Sequence, residues 1–527
     1  MRSDSWLRPG AGSVGAGPAA LLGLGAVAAG LGIGQLAATF GAAASSPVLA
    51  VSAVAVDLTP RWLKEFATST FGTRDKAVLL GVALAVVALL GAAVGVVAAR
   101  SRVLGGVLLA GFTALGMAAA LSRPPAGPSW ALPSVLAGLV TGGLFLGTLA
   151  RLAGELSSGL ARRSGDRRAA EGPDRRAVLR VAGGAAVLGL AGALAGRGVA
   201  MLRGGVSAAR AALRLPAPAS SAPSAAGATE VGVPGVVPFL VPNRRFYRID
   251  TALVVPQVSP DSWRLRVHGM VAREVVLTWA ELLAGPLVER DLTLACVSNP
   301  VGGDLVGNAR WLGLPLAPLL RRAGPAADAD MVLSTSVDGW TAGTPLAVLL
   351  DGRDALLAVG MNGVPLPVEH GFPVRLVVPG LYGYVSATKW VVDLEVTRFD
   401  RAEGYWTPRG WSPLGPVKTS SRIDVPRDGD RLRPGRVPVA GVAWAQHRGV
   451  RSVQVRVDDG PWQEARTAAV PSADTWRQWV LDWQATSGSH ALSVRAVDGP
   501  GAVQIGEPTD AAPDGATGWH TITVHVG

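Results

Sequence analysis

Four stretches of this chain contain no Asp, Glu, Lys or Arg at all: residues 9–56, 77–99, 103–122 and 124–150. Each exceeds the ~18 residues that a helix needs to cross the hydrocarbon core of a bilayer. Only 13 charged side chains fall within the first 150 residues, far below the roughly one in four of ordinary globular domains. This half is therefore expected to be a membrane domain over 1–205, with spans near 17–40, 77–99, 103–122, 132–150 and 181–200. The segment 47–56, after Ser45, Ser46 and Pro47, is too short to span and is expected at an interface. Abundant Ala and Gly suit close helix packing in lipid.

Arginines set the expected orientation. The connection 151–180 holds eight, Arg151, Arg162, Arg163, Arg167, Arg168, Arg175, Arg176 and Arg180, which marks it as cytoplasmic. Counting back puts Arg2 and Arg8 in the cytoplasm, and five spans then put the chain after residue 205 on the extracytoplasmic side of the cell membrane. The loop 57–76 opposes this mildly, with Arg61, Lys64, Arg74 and Lys76 balanced by Asp57, Glu65 and Asp75. Asp174-Arg175-Arg176 through Arg180, ahead of a weakly apolar run, reads equally as an internal twin-arginine export signal or as a helix anchor.

Net charge is +11, but 45 of the 49 basic residues are Arg beside apolar spans or scattered through the second half, without a basic stripe interleaved with aromatics. Topology accounts for that charge, and no nucleic-acid partner is expected. All six histidines follow residue 267, so no span offers the paired imidazoles of a membrane haem. A single cysteine, Cys296, excludes an intrachain disulfide and a thiolate-held iron–sulfur cluster.

The second half begins with an Ala/Pro/Ser-rich stretch, 206–236, which has the composition of a linker. From 237 to 424 the pattern is mixed. Trp263, Leu265 and Val267 alternate as in a strand, Thr278 to Glu281 is a capping box, strands are expected at 291–298, 331–337, 373–378 and 390–397, and short helices at 316–322 and 345–350. This order argues for an α+β domain. Residues 425–527 read as short alternating strands at 437–444, 452–457, 476–483, 491–497 and 519–526, with a turn at Asp458-Asp459-Gly460, the texture of an immunoglobulin-like β-sandwich.

Hydrolase, zinc-protease and nucleotide-loop signatures are missing. Two clusters remain. Cys296 ends an apolar strand and opens a polar loop with Asn299, Gly302, Gly303, Asp304 and Gly307. Taken alone, a single Cys is more often a small buried hydrophobe than a ligand. The second cluster runs from Met361-Asn362-Gly363 through His370-Gly371-Phe372-Pro373-Val374-Arg375 to Lys389-Trp390, and its donors suit an anion such as a phosphate.

Together with the start Phe246-Tyr247-Arg248, the run Asn308-Ala309-Arg310-Trp311-Leu312-Gly313 and the strand-rich C-terminus, these clusters resemble the sulfite oxidase family of molybdenum enzymes over residues 240–527. The resemblance implies a membrane-anchored oxidoreductase with one molybdenum–molybdopterin per chain, Cys296 as the protein ligand to the metal, and no haem or iron–sulfur cluster. It implies that Phe246, Tyr247, Arg248, Asn299, Asp338, His370, Arg375 and Lys389 bind the pterin and its phosphate, and that Tyr405 and Trp406 approach the metal. It further implies two-electron oxygen-atom transfer, a C-terminal domain that pairs subunits in a homodimer, and a separate electron-transfer partner, either a cytochrome or a quinone-linked protein.

The chain departs from the family pattern where Cys296-Val297-Ser298-Asn299 runs into Pro300-Val301 in place of two arginines, and where Arg248 is followed by Ile249-Asp250 in place of Asn-His. An anionic sulfite substrate loses its clamp there, which makes reduction of an S-oxide or N-oxide a serious competitor to sulfite-type oxidation. The competing class is a non-catalytic cell-surface binding protein with a degenerate cofactor site and an immunoglobulin-like interaction module.

Overall fold

Long uncharged runs have one way to satisfy their backbone in lipid, which is to form helices. The computed structural model describes residues 15–41, 45–60, 63, 70, 75–122, 127–162, 175–203, 205–223 and 229–527. Five described helices are long and apolar enough to cross a membrane, with spans at Ala16–Ala38, Val78–Arg100, Arg102–Leu121, Pro128–Thr148 and Leu179–Gly196. A shorter apolar helix, Pro47–Leu58, accompanies them. Glycines let these helices touch backbone to backbone: a Cβ on Gly32 would lie 2.1 Å from the carbonyl oxygen of Gly189.

The loop expected over 151–180 is shorter than its arginines imply. The helix Leu132–Arg162 runs twelve residues beyond the apolar stretch ending at 150, and the next helix starts at Arg175. Leu, Ala, Glu and Arg are all good helix formers, so the helix continues past the uncharged run. Residues 163–174, the N-terminal arginines and most of the 57–76 loop lie outside the described residues.

Residues 206–527 form a second compact unit. Its first part has ten strands, β1 Arg264–Gly269, β2 Val275–Thr278, β3 Val288–Ala295, β4 Val306–Pro315, β5 Met331–Ser336, β6 Thr341–Pro345, β7 Leu356–Met361, β8 Val364–Pro365, β9 Arg375–Val377 and β10 Val391–Thr397. They form a mixed sheet in the order β2-β1-β10-β5-β6 and an antiparallel sheet in the order β3-β4-β7-β8, the latter with β9 on β7. Only β1 and β10 run parallel within them. The expected α+β order is what the chain adopts, and the helix at Trp279–Ala284 opens with the capping box of Thr278 and Glu281.

The C-terminal part contributes β11 Ser420–Val425, β12 Arg431–Leu432, β13 Gly435–Trp444, β14 Val450–Val457, β15 Gln463–Glu464, β16 Arg466–Thr467, β17 Arg477–Ala485, β18 Gly488–Asp498 and β19 His520–Val526. They make two sheets, β11-β13-β17-β16 and β12-β19-β18-β14-β15. Both sheets bury side chains in one core, with Val439, Trp479 and Trp483 from the first meeting Val453, Val494 and Val524 from the second.

Three expectations change here. The boundary at 424/425 cuts β11, which pairs with β13 along Ser420 to Val425, so the C-terminal sheets begin at Ser420. Gly307, read as part of a loop, lies inside β4, because pairing with Leu294 of β3 overrides its weak strand propensity. The stretch 206–236 is no free linker. Val206 is buried in the same core as Leu294 and Trp311, Arg210 donates to the carbonyls of Pro365 and Leu366 at 2.7 and 2.6 Å, and Ser220 bridges Val288.

These attachments share a cause. β3 is the edge of its sheet, and an unpaired strand edge must be covered. Residues 219–220 cover one end through Ala219 N to Leu287 O and Glu289 N to Ser220 O, at 2.7 and 2.8 Å. The C-terminal part covers the other end: Thr293 N donates to Asp474 O at 2.9 Å, Gln446 Nε2 to Thr293 O at 3.2 Å, and Trp476 N to Thr293 Oγ1 at 2.8 Å. Trp476 is itself fully buried and donates through Nε1 to Phe239 O at 3.0 Å. The strand that leads to Cys296 is thus held from both sides.

Candidate functional site

Cys296 follows directly on β3, whose last five residues, Asp291–Ala295, are all buried. Its backbone N–H donates to Leu305 O at 2.9 Å, and Asn299 N donates to Cys296 O at 3.2 Å. The Asn299 Oδ1 accepts from Leu305 N at 2.8 Å, which closes the loop from β3 to β4. The thiol is buried and its pKa is raised, because burial disfavours the thiolate; hydrogen bonds from Ser298 oppose this. A metal at this sulfur would have to displace a proton.

The sulfur lines a pocket shared with Phe246, Tyr247, Asp338, Arg375, Lys389 and Trp406, all expected at the site. Asp250, Ser298, Ser336, Trp340, Tyr384 and Trp411 line it too. Phe246 stacks on Tyr247 at 5.2 Å and meets the edges of Trp311 and His370, both at 5.8 Å. Gly307 makes room for this ring: a Cβ there would come within 2.8 Å of it. Burial pushes the Tyr247 phenol far above its ordinary range, and the nearby Cys296 adds to the shift.

Arg375 is buried. Its guanidinium donates to the carbonyls of His370, Leu376 and Ala387 at 3.1, 3.3 and 3.3 Å and lies 5.2 Å over the Trp311 ring. Among the described residues it forms no ion pair with a carboxylate, and desolvation lowers its pKa to about 10. Lys389 is buried beside Asp250 at 2.9 Å and also donates to Glu369 O at 3.1 Å. Desolvation brings it down to about 8, partly offset by Asp250. A buried cation without a carboxylate is costly unless an anion joins it.

The remaining expected residues lie elsewhere. Arg248 is exposed and paired with Asp250 at 2.8 Å. Asn299 closes the Cys296 loop and faces a small second cavity. His370 sits behind Phe246, with Nε2 donating to Asn243 O at 3.1 Å; burial, with Arg375 and Lys389 nearby, lowers its pKa to about 3, so the ring is neutral. The Tyr405 backbone N–H donates to Thr341 O at 3.0 Å, and its ring packs under the Arg409 guanidinium at 3.7 Å.

Asp250 and Ser336 escaped the sequence reading for different reasons. Asp250 stood out only as a departure from the family pattern. Ser336 ends β5, and nothing local marks it.

Do these residues fit a molybdenum–molybdopterin? Among the described residues no group of three or more His, Cys, Asp or Glu is arranged to hold a metal ion, so any metal here must bring most of its donors with it. A single thiol beside an organic dithiolene meets that condition. The Ser336 hydroxyl is buried at the pocket without a hydrogen-bond partner, and Arg375 has no carboxylate. Both features suit a polar, anionic ligand.

Comparison with known proteins agrees with this chemistry. Residues 252–406 match the oxidoreductase molybdopterin-binding domain. Chicken (Gallus gallus) sulfite oxidase is 32% identical over 337 residues, covering 54% of this chain and 72% of that protein. Human mitochondrial sulfite oxidase is 30% identical over 343 residues, 55% of this chain, and the match spans 62% of the human protein. An uncharacterized oxidoreductase of Bacillus subtilis is 33% identical over 153 residues, 29% of this chain and 74% of that protein. Among solved structures, the sulfane dehydrogenase SoxCD of Paracoccus pantotrophus aligns at 23% identity with a TM-score of 0.48, over 56% of this chain and 85% of that one. On the matched domain and the identity to its relatives, the chain belongs to the sulfite oxidase family of molybdopterin-dependent oxidoreductases.

Proposed function

We propose that residues 206–527 are the catalytic unit of a membrane-anchored oxidoreductase that transfers an oxygen atom to or from a small neutral oxo compound, with reduction of an S-oxide or N-oxide favoured over sulfite oxidation. The observation that carries this reading is the convergence of the chain's only cysteine, the carboxylate-free Arg375 and the unpartnered Ser336 on one pocket. When bound, the molybdenum–molybdopterin group supplies two-electron oxygen-atom chemistry. The chain's residues divide the rest of the work. Cys296 would hold the metal as a thiolate, its thiol proton having left. Arg375 and Lys389 would hold the phosphate, with Asp250 keeping Lys389 in place. Phe246 and Tyr247 would pack the organic part, and Ser336 and Asp338 would offer polar contacts to it.

Trp340, Trp406, Trp411 and Tyr384 line the same pocket, while Pro300 and Val301 follow Asn299 where the family pattern has arginines. In this reading Arg375 and Lys389, which line the pocket, are committed to the cofactor's phosphate, and without the two arginines of the family pattern an anion such as sulfite would find no second cation to replace its hydration. Five apolar helices support a multi-pass anchor, and the arginine pattern supports an extracytoplasmic catalytic unit. In this reading the C-terminal sheets are an immunoglobulin-like domain that pairs subunits, and a separate carrier exchanges electrons with the site.

The test is elemental analysis after expression in a host that makes the cofactor. About one molybdenum per chain is expected, and Cys296→Ser should abolish oxygen-atom transfer from a sulfoxide with an artificial donor while leaving the fold intact. Absence of molybdenum from well-folded protein defeats the proposal.

A further inference from the structure

The Cys296 loop is closed by its own hydrogen bonds, but these do not fix how the loop stands against the pocket. Contacts from the C-terminal sheets do. Arg422 of β11 is 9% exposed. Its Nη1 donates to Gly303 O at 2.8 Å, and its Nε is paired with Asp424 Oδ1 at 2.6 Å, which fixes the guanidinium. His520, the first residue of β19, accepts the Ile423 N–H at Nδ1 at 3.0 Å, so ring and tautomer are set by the backbone of β11.

The other side of that ring fills the space beside Gly302, where a Cβ would lie 2.3 Å from the imidazole carbon. Gly302 also has φ +75°, a conformation that glycine adopts without strain. Thus one residue donates to the loop backbone at Gly303 and the other packs against the loop at Gly302. Behind the loop Cys296 also lines a second cavity of about 20 Å³, with Tyr382, Ser421 and Gln504. That is room for roughly a single water and so for a small displacement of the sulfur.

We infer that Arg422 and His520 are positioning residues: they clamp the Cys296 loop from the C-terminal sheets and hold the sulfur toward the pocket. The C-terminal part is then a structural component of the site, apart from any role in pairing subunits. The inference concerns where the sulfur stands in the protein and holds whether or not a molybdenum cofactor binds there.

Because Cys296 is the only cysteine, Ellman's reagent applied at fixed pH to folded, cofactor-free full-length chain reports on this loop alone. Arg422→Met and His520→Ala are each expected to speed the reaction by on the order of tenfold, as loss of a hydrogen bond to a charged group or of a packed ring raises local opening. The control is Val524→Ala, which removes core volume from β19, the strand that also carries His520, and so lowers the melting temperature while leaving both contacts to the loop in place. The clamp is overturned if neither variant changes the thiol rate, or if Val524→Ala raises it as much at an equal loss of melting temperature. If Arg422→Met fails to fold, His520→Ala decides alone. Failure of the oxidoreductase reading would leave these rates unaffected.

Discussion

Replacing Arg375 with Met separates a residue kept for a ligand from one kept for the fold. Burial lowers the Arg375 pKa from 12.5 to about 10. At about 1.4 kcal/mol per unit, the ionised side chain carries roughly 3 kcal/mol of unfavourable desolvation in the cofactor-free protein. Removing the charge relieves that cost. Against it stand three carbonyl contacts at about 1 kcal/mol each, and a stack over Trp311 of about 1 kcal/mol. The terms nearly cancel, so the cofactor-free variant should melt within a few degrees of the parent.

The loaded protein should behave differently. A charge-assisted contact to a phosphate is worth about 1.5–3 kcal/mol, so pterin retention should fall by roughly 10- to 100-fold. The assay is thermal melting of the cofactor-free variant beside pterin fluorescence released after dialysis of the loaded one. A collapse of melting temperature with unchanged pterin retention would refute the reasoning, since Arg375 would then serve the fold.

Other expectations follow from the same geometry. His370 has its pKa lowered to about 3, below its unfolded value, so between these values the unfolded chain binds the proton more readily and stability is lost as pH falls through that window. Acid melts of His370→Gln should show a shallower loss than the parent, by up to a few kcal/mol. Trp476→Ala should cost about 3–5 kcal/mol, and because Trp476 shares a core with β3 and β4, calorimetry of the unit should show a single lowered transition rather than separate melting of the C-terminal sheets. Gly307→Ala places a Cβ 2.8 Å from the Phe246 ring and should cost about 1–3 kcal/mol through overpacking, together with measurable loss of pterin.

Much of this architecture was written in local signals. The capping box at Thr278 and Glu281 closes within one turn, and the strand His520–Val526 alternates exposed and buried residues from Thr521 on. The end of an apolar strand singles out Cys296, but only the resemblance to the family makes it a ligand. What the local pattern hid was set by partners far away in the chain. The 206–236 stretch lacks apolar periodicity, yet the bare edge of β3 draws Ser220 onto it. β4 hides its Gly307 in a glycine-rich run until Leu294 pairs with it. Asn299 and His370 carry the right chemistry for ligand contact, and the fold engages one polar atom of each, Asn299 Oδ1 with Leu305 N and His370 Nε2 with Asn243 O. Arg422 gave no signal, since its partner Gly303 lies 119 positions away.

X-ray absorption at the molybdenum edge bears most directly on the assignment of Cys296. Protein from a cofactor-producing host should show sulfur in the metal's first shell, and Cys296→Ser should lose one of those scatterers while the dithiolene signal stays. An identical sulfur shell in parent and variant would contradict the account.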